Sequence, residues 1–185
     1  MADVIVVGDG PGGLSAALFL GKNGLDVVVF GQDATAMNYA YVRNYLGIPE
    51  IAGTDFQRIA RAQVEAKGAK LRSEKVEVVA GRDGAWSVRL EGGETLTAKY
   101  LVLSEGKAPR LARQLGLRFD DDNGIPTDRN ARTPMGVYVV GRSSRPGRSQ
   151  AIISAGDGAA AAIDILTREN GKTFVDWEEP PKPPD

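Results

Sequence analysis

Apolar residues near the start of the chain come in short unbroken runs, and further on they follow alternating or helical spacings. Residues 3–7 (DVIVV) are a β-branched run that stops at Gly8, and an Ala- and Leu-rich amphipathic stretch follows from Gly12 to Lys22. That order predicts strand, tight turn and helix, with Asn23-Gly24 as the stop. Residues 26–30 (DVVVF) form a second continuous apolar run, as in a parallel strand buried on both faces. The opening is therefore a βαβ unit. Residues 37–52 mix aromatic, polar, Pro and Gly positions and predict a long ordered loop, a kind that usually covers something. Thr54 can cap a helix through Lys67, on the spacing of Phe56, Ile59, Ala60, Gln63 and Val64, with Gly68 ending it.

Three short runs, 75–80, 85–90 and 95–98, are joined by Arg82-Asp83-Gly84 and Gly92-Gly93 and predict a β-meander. Residues 100–104 (YLVLS) and 137–140 (VYVV) return to the buried parallel pattern, with a polar loop region between them. A last helix is expected over 159–168, its N-terminus prepared by Gly156-Asp157-Gly158. The end, EEPPKPPD, reads as a stiff, solvated polyproline-like tail, and its PxxP spacing is also that of an adaptor ligand. The expected fold is α/β: a Rossmann-like ββα three-layer sandwich, with four or five parallel strands, helices on one face and the three-stranded meander on the other. Residues 1–176 form one domain on this reading and 177–185 a Pro-rich tail.

Composition narrows the chemistry. The 185 residues include no cysteine and no histidine, which removes disulfides, thiolate metal sites, zinc chemistry and the usual base of a nucleophilic triad. Lys and Arg number 23 against 24 Asp and Glu, so no strongly basic nucleic-acid surface is expected. No apolar run reaches the roughly 18 residues of a membrane span, and a cytoplasmic setting without membrane partners is the expectation. Glycine is unusually frequent, 23 of 185 against an average of about 7%.

Several of those glycines form Gly8-Asp9-Gly10-Pro11-Gly12-Gly13, a G-x-G-x-x-G placed directly between a strand and a helix. The first glycine permits the tight turn, the second lets a pyrophosphate approach the backbone, and the third lets helix and strand pack closely. The helix terminus adds free N–H groups and partial positive charge. A glycine-rich turn without a ligand is the alternative, and the strand and helix on either side favour a dinucleotide. Such sites place an acid at the end of the second strand for the adenosine ribose. Here that position, eighteen residues past Gly13, holds Gly31, and Asp33 is the nearest substitute.

Other chemistry-bearing patterns have plainer readings. Ser104-Glu105-Gly106-Lys107 matches S-x-x-K but lacks the S-D-N and K-T-G companions of serine–lysine hydrolases. Asp120, Asp121 and Asp122 beside Asn123-Gly124 read as a solvated turn more simply than as a cation site. Arg142, Arg145 and Arg148 make a local basic cluster, either a solvated loop or a contact for phosphate or an acidic partner. Trp86 and Trp177 are expected to pack in the meander and the tail.

Three segments carry a specific resemblance: DVIVVGDGPGGLSAALFLGKNGLDVVVF, VRNYLGIPEIAGTDF and GVYVVGRSSRPGRSQAIISAGDGAAAAIDIL. Together they resemble the FAD-binding domain of thioredoxin reductase and its relatives, over almost the whole stretch from Asp3 to Thr167. The resemblance implies that FAD is the cofactor. It places the pyrophosphate at Gly8, Gly10, Pro11, Gly12 and Gly13, the adenosine side at Phe30, Gly31, Gln32 and Asp33, and the adenine at the backbone of Val76. It further puts Asn44 by the isoalloxazine, Ser104 and Gly106 beside the cofactor, and Gly141, Arg142, Gln150 and Ala151 along the ribityl chain and pyrimidine end. In that region helix-terminal N–H groups can stabilise a reduced, anionic flavin.

The chain also departs from that family. The family inserts an NAD(P)H domain with a Cys-x-x-Cys pair between the halves of the FAD domain, whereas here Leu115-Gly116-Leu117 runs on to Asp120-Asp121-Asp122-Asn123-Gly124. The family's Gly-Asp after the later strand is Gly141-Arg142, and its Ala-Thr-Gly is Ser104-Glu105-Gly106. The resemblance is to small, single-domain thioredoxin-reductase-like flavoproteins, and the expected function is flavin electron transfer with a small molecule or protein as donor or acceptor. No catalytic side chain and no metal ligand is assigned. The loop over 37–51 carries Met37, Tyr39, Tyr41, Tyr45 and Ile48, which suit either self-association into a homo-oligomer or a lid over the flavin. A degenerate, non-catalytic binding or scaffold module is the rival reading, favoured by Gly31 and Arg142. NAD(P) binding alone would leave the 136–158 segment without a role.

Overall fold

The structure, a computed structural model, describes residues 1–180. Its centre is β1 (Ala2–Val7), which runs parallel to β2 (Val27–Phe30) on one side and to β8 (Thr95–Leu103) on the other. Side chains of a strand alternate between faces. Val4 and Val6 accordingly face one core with Val27, Val29, Tyr100 and Val102, while Ile5 faces another with Val28, Phe30, Leu101 and Leu103. Both faces are buried, which explains the unbroken apolar runs.

Strand order is β5-β2-β1-β8-β7-β6, with β9 (Tyr138–Val139) also parallel to β8. β5 (Lys70–Arg72) is a short parallel edge strand, and β6 (Val76–Arg82), β7 (Ala85–Leu90) and the first half of β8 form the antiparallel meander. Helices α1 (Pro11–Lys22), α2 (Gly53–Ala66) and α4 (Ala151–Asn170) cover one face, contributing Leu14, Leu20, Val64, Ala161 and Ile165 to that core. The meander covers the other with Val79, Trp86, Val88 and Leu90. Each Val, Leu or Ile among them taken fully out of water contributes roughly 1.5–3 kcal/mol. The expected α/β three-layer architecture is therefore present.

Several boundaries differ from expectation, each for a local reason. The predicted runs 95–98 and 100–104 are one strand, because neither Gly nor Pro interrupts Ala98-Lys99-Tyr100. Ala98 pairs with Trp86 of the meander and with Ala2 of β1, so β8 belongs to both layers. β5 is missed by periodicity since only Leu71 of its three residues is apolar, and the short α3 (Arg110–Gln114) lies within the expected polar loop.

Thr54 does not cap α2. The helix begins at Gly53, where an added Cβ would stand 1.8 Å from the Met37 carbonyl oxygen, and Ala52 is the cap residue without a side-chain bond. Similarly, Gly156-Asp157-Gly158 lies inside α4, which starts at Ala151 rather than 159. Both glycines sit in regular helix, and Gly158 is needed for contact with α1.

The expected loop over 37–52 contains a 3-10 turn (Ala36–Tyr39) and a small hairpin of β3 (Tyr41–Val42) and β4 (Ile51–Ala52). Met37 is buried, whereas Tyr39 and Leu46 stand almost fully exposed. Trp86 packs in the meander as expected; Trp177 does not pack, being 81% exposed. Phe174 rests on the helical core and Asp176 pairs with Lys22 at 2.9 Å, so the chain is tied down just before Trp177. The tail's PxxP spacing runs into residues 181–185, outside the described residues.

One polar network fastens α4 to the sheet. Asp164 accepts from the buried Tyr138 hydroxyl (2.5 Å), from Arg168 Nε (2.8 Å) and from Asn130 Nδ2 (3.1 Å). Burial opposes its charge, but the Tyr138 and Arg168 bonds outweigh burial and hold the carboxyl below its ordinary value. A lowered folded-state value contributes stability above the unfolded value and loses it as pH falls through the folded one. Asp164→Asn should therefore cost about 1–3 kcal/mol at pH 7. In urea titrations the gap from wild type should begin to narrow as pH falls through about 4, where the unfolded carboxyl takes up its proton, and should close only below the lower folded-state value.

Candidate functional site

The carboxyl ends of β1, β2 and β8 open on one cleft of about 520 Å³, within the range of small-molecule and cofactor sites. Its floor is the glycine turn. Gly8 has φ +103°, and an added Cβ there would lie 2.1 Å from the Ser104 carbonyl oxygen. The Gly8 amide donates to Phe30 O at 2.8 Å and the Ser104 amide to Val7 O at 2.7 Å, so the turn is pinned across three strand ends. Gly13 has no room for a side chain, since its Cβ would stand 1.9 Å from Gly8 O, and its amide donates to Ser104 Oγ. Gly10 differs: the nearest atom to its Cβ is Thr35 Oγ1 at 3.3 Å, on the side of the cleft.

Two helix N-termini open on this cleft. α1 begins at Pro11 after Gly10, and α4 begins at Ala151 after Gln150, both without a side-chain cap. First-turn amides left this way present hydrogen-bond donors and partial positive charge to a ligand. The two helices are brought together by Gly12 and Gly158, where a Cβ on Gly158 would fall 2.0 Å from Gly12 O.

Most of the expected cofactor residues line the cleft: Gly8, Gly10, Pro11, Gly12, Phe30, Gly31, Gln32, Val76, Ser104, Gly106, Gly141, Arg142 and Ala151. Gly13 lies beneath it as a spacer. Asn44 and Gln150 are outside the lining, bonded to each other at 2.9 Å on the exposed surface. Asp33, the expected substitute acid, is also outside. Its side chain is exposed and its backbone, at φ +53°, donates its N–H to Asp9 Oδ2 at 3.0 Å. The Val76 carbonyl is engaged by Arg110 Nη2 at 2.6 Å. In the basic cluster, Arg145 is bonded to the buried Asp157 at 2.7 Å, leaving Arg142 exposed on the cleft. Asp120 accepts from the amides of Asp122 and Asn123, the solvated turn expected of the acidic trio.

Sequence reading passed over two carboxylates in the lining. Asp9 is buried, ion-paired with Arg61, and its carbonyl accepts from Gln57 Nε2 at 2.6 Å. Glu105 accepts from the amides of Leu111 (2.7 Å) and Ala112 (2.9 Å) at the start of α3. Burial raises its carboxyl, and those amides pull the other way. Both acids are engaged with the protein, while Lys75, Lys107 and Arg142 also border the cleft. An electron-rich, anionic ligand suits that balance. The signal for Asp9 was an acid inside the motif coinciding with the missing acid at Gly31.

Glycine cradle, paired helix termini and crevice at the strand ends define a dinucleotide-binding α/β protein of the flavoprotein class. The chain belongs to the pyridine nucleotide-disulphide oxidoreductase family, whose model matches residues 41–158, and a model for an FAD binding domain matches residues 1–43. FAD, the expected cofactor, is thereby supported, and the glycine cradle and amide donors fit its pyrophosphate. The chain is 31% identical over 170 residues to a bifunctional thioredoxin reductase/thioredoxin of Mycobacterium leprae, covering 90% of this chain and 35% of the relative. It is 25% identical over 165 residues to a ferredoxin–NADP reductase of Lactococcus lactis subsp. cremoris, covering 85% and 49%. A thioredoxin reductase structure from Gloeobacter violaceus superposes with a TM-score of 0.85 at 18% identity, covering 96% of this chain and 99% of that one. The chain spans about a third to a half of the length of the curated relatives it matches.

Two glycine substitutions should separate fold from binding. Gly158→Ala drives a methyl into α1 backbone and should destabilise by about 1–3 kcal/mol or more in urea. Gly10→Val points into the cleft, so it should keep a near-native melting temperature yet lose flavin during gel filtration. A Gly10→Val protein with a full complement of flavin would show that the phosphate does not approach this backbone.

Proposed function

We propose that the chain is an FAD-binding oxidoreductase component that exchanges electrons with an external small molecule or protein, having within these residues neither a nicotinamide-nucleotide domain nor a dithiol. The observation that carries this reading is the paired helix N-termini over a single glycine cradle, joined to a short connection between α3 and β9. That connection consists of turns around Asp120–Gly124 and Asp128–Arg132, with Ile125 buried and its amide on Ser143 O. No cysteine is present to form a dithiol.

On this reading residues 1–176 act as one FAD-binding unit, with 177–185 as a tail, in a cytoplasmic setting. Gly10 and Gly12 hold the pyrophosphate against the α1 terminus, and Ser104 orients the turn through the Gly13 amide. The α4 terminus at Ala151 and the side chain of Arg142 place positive charge at the other end of the cleft, with Gly106 and Gly141 leaving room for the ligand. Asn44 and Gln150, already bonded to each other, close its outer rim. Bound there, FAD supplies the acceptance and release of one or two electrons. Tyr39 and Leu46 stand exposed away from the cleft, and self-association through their loop is the reading for them, checked by analytical ultracentrifugation.

Purified protein should carry FAD, identified by its visible spectrum and by mass spectrometry of the released ligand. NADPH should reduce it slowly and without saturation. Rapid, saturable reduction would mean a nicotinamide site within the chain and overturn the proposal. A colourless protein that fails to take up added FAD would favour the scaffold reading.

A further inference from the structure

The acid expected at the tip of β2 is missing from the sequence position, yet a carboxylate occupies that place. An ideal Cβ built on Gly31 would stand 2.2 Å from Asp9 Cγ, 2.3 Å from Asp9 Cβ and 2.6 Å from Asp9 Oδ1. No other atom comes as near. Positions 9 and 31 therefore cannot both carry side chains, and Gly31 is glycine because Asp9 fills its space. Both residues line the cleft.

The two oxygens of this carboxylate are used unequally. Oδ2 accepts from the Asp33 amide and from the Arg61 guanidinium. Oδ1 accepts from no donor among the described residues and is not among the buried polar atoms left without a partner. The Asp9 backbone is fixed as well, its carbonyl held by Gln57 from α2. A purely structural ion pair would account for Oδ2 and for Arg61. It does not account for a second oxygen held free at the tip of β2, on a cleft wall whose other carboxylate, Glu105, has both oxygens bonded.

Resting on the FAD reading above, we infer that Asp9 is the ribose-binding carboxylate of this chain, moved from the end of β2 into the glycine turn. A hydroxyl of the adenosine ribose donates to Asp9 Oδ1, Arg61 balances the charge from behind, and Asp33 serves through its amide alone. Asp9 is then a specificity residue for the ribose diol of a dinucleotide, and the bare Gly31 is no sign of a decayed site.

The test is a cycle between protein and ligand. ADP and 2′,3′-dideoxy-ADP compete with FAD for the apoprotein, with flavin fluorescence as the readout. In wild type, ADP should compete about tenfold to a hundredfold better than the dideoxy compound, the range for a hydrogen bond to a charged group. Asp9→Asn should shrink that preference several-fold, while competition by dideoxy-ADP changes little. Because Asp9→Asn also touches the Arg61 pair, a second variant tests relocation. Asp9→Gly combined with Gly31→Asp returns the carboxylate to β2 and should restore the preference for ADP.

Equal competition by the two nucleotides in wild type would overturn the inference while leaving FAD binding intact. So would an ADP preference unchanged in Asp9→Asn, or equal losses for both compounds, the signature of a merely structural pair. Failure of ADP to compete would show an unanchored adenosine end and overturn it too. Failure of wild type to bind FAD at all would instead remove the reading on which it rests.

Discussion

Everything at the working end of this molecule depends on backbone segments approaching more closely than side chains allow. Gly8 lies against the Ser104 carbonyl, Gly13 against the Gly8 carbonyl, and Gly158 against the Gly12 carbonyl. Each contact removes a Cβ from a place where packing density leaves no slack. The sum is that two strand ends and two helix starts meet around one turn. Had any of these positions carried a methyl group, α1 or α4 would stand off from the sheet and its terminus would no longer face the cleft. The glycines do not merely loosen the chain; they set the distance between the donors that a phosphate-bearing ligand would meet.

Polar groups around that turn are arranged to leave the donors free. Asp9 is balanced by Arg61, Asp157 by Arg145, and Glu105 by the first amides of α3. Apart from Asp9 Oδ1, the oxygens of these carboxylates are thus engaged with protein groups, and the termini of α1 and α4 keep their partial positive charge for the ligand. Away from the site, the Tyr138–Asp164–Arg168 group does mechanical work. It holds α4 to β9 some four turns from the helix start, so the terminus at Ala151 is fixed by a helix anchored at both ends.

Membership of the pyridine nucleotide-disulphide oxidoreductase family describes the cofactor end of the chemistry. On the reading proposed above, the three layers supply the position of a flavin and its electrostatic surroundings, and no acid, base or nucleophile is assigned among the described residues. A unit of that kind would work by where it holds its cofactor and by what can reach it. None of its helices is long and apolar enough to cross a membrane among the described residues.

The βαβ opening, the meander and the glycine turn were legible in the sequence, because local pattern encodes them directly, whereas the part of the cleft lining from Val76 to Ala151 was named only through the family resemblance. Apolar runs report burial on both faces, and a G-x-G-x-x-G between strand and helix reports a turn that must admit a phosphate. The start of α4 was not legible from local pattern, since Gly156 and Gly158 look like a helix boundary until Gly12 is seen packed against one of them. β5 was invisible because an edge strand needs only a neighbour, not a pattern, and Thr54 resembled a cap until Met37 claimed the space before it. The exchange between Asp9 and Gly31 lies furthest from sequence reading. Those residues are 22 positions apart, and only the folding of β1 beside β2 brings the side chain of one into the space the other leaves empty. Local sequence determined which elements form, and tertiary contact decided which atoms fill the same space.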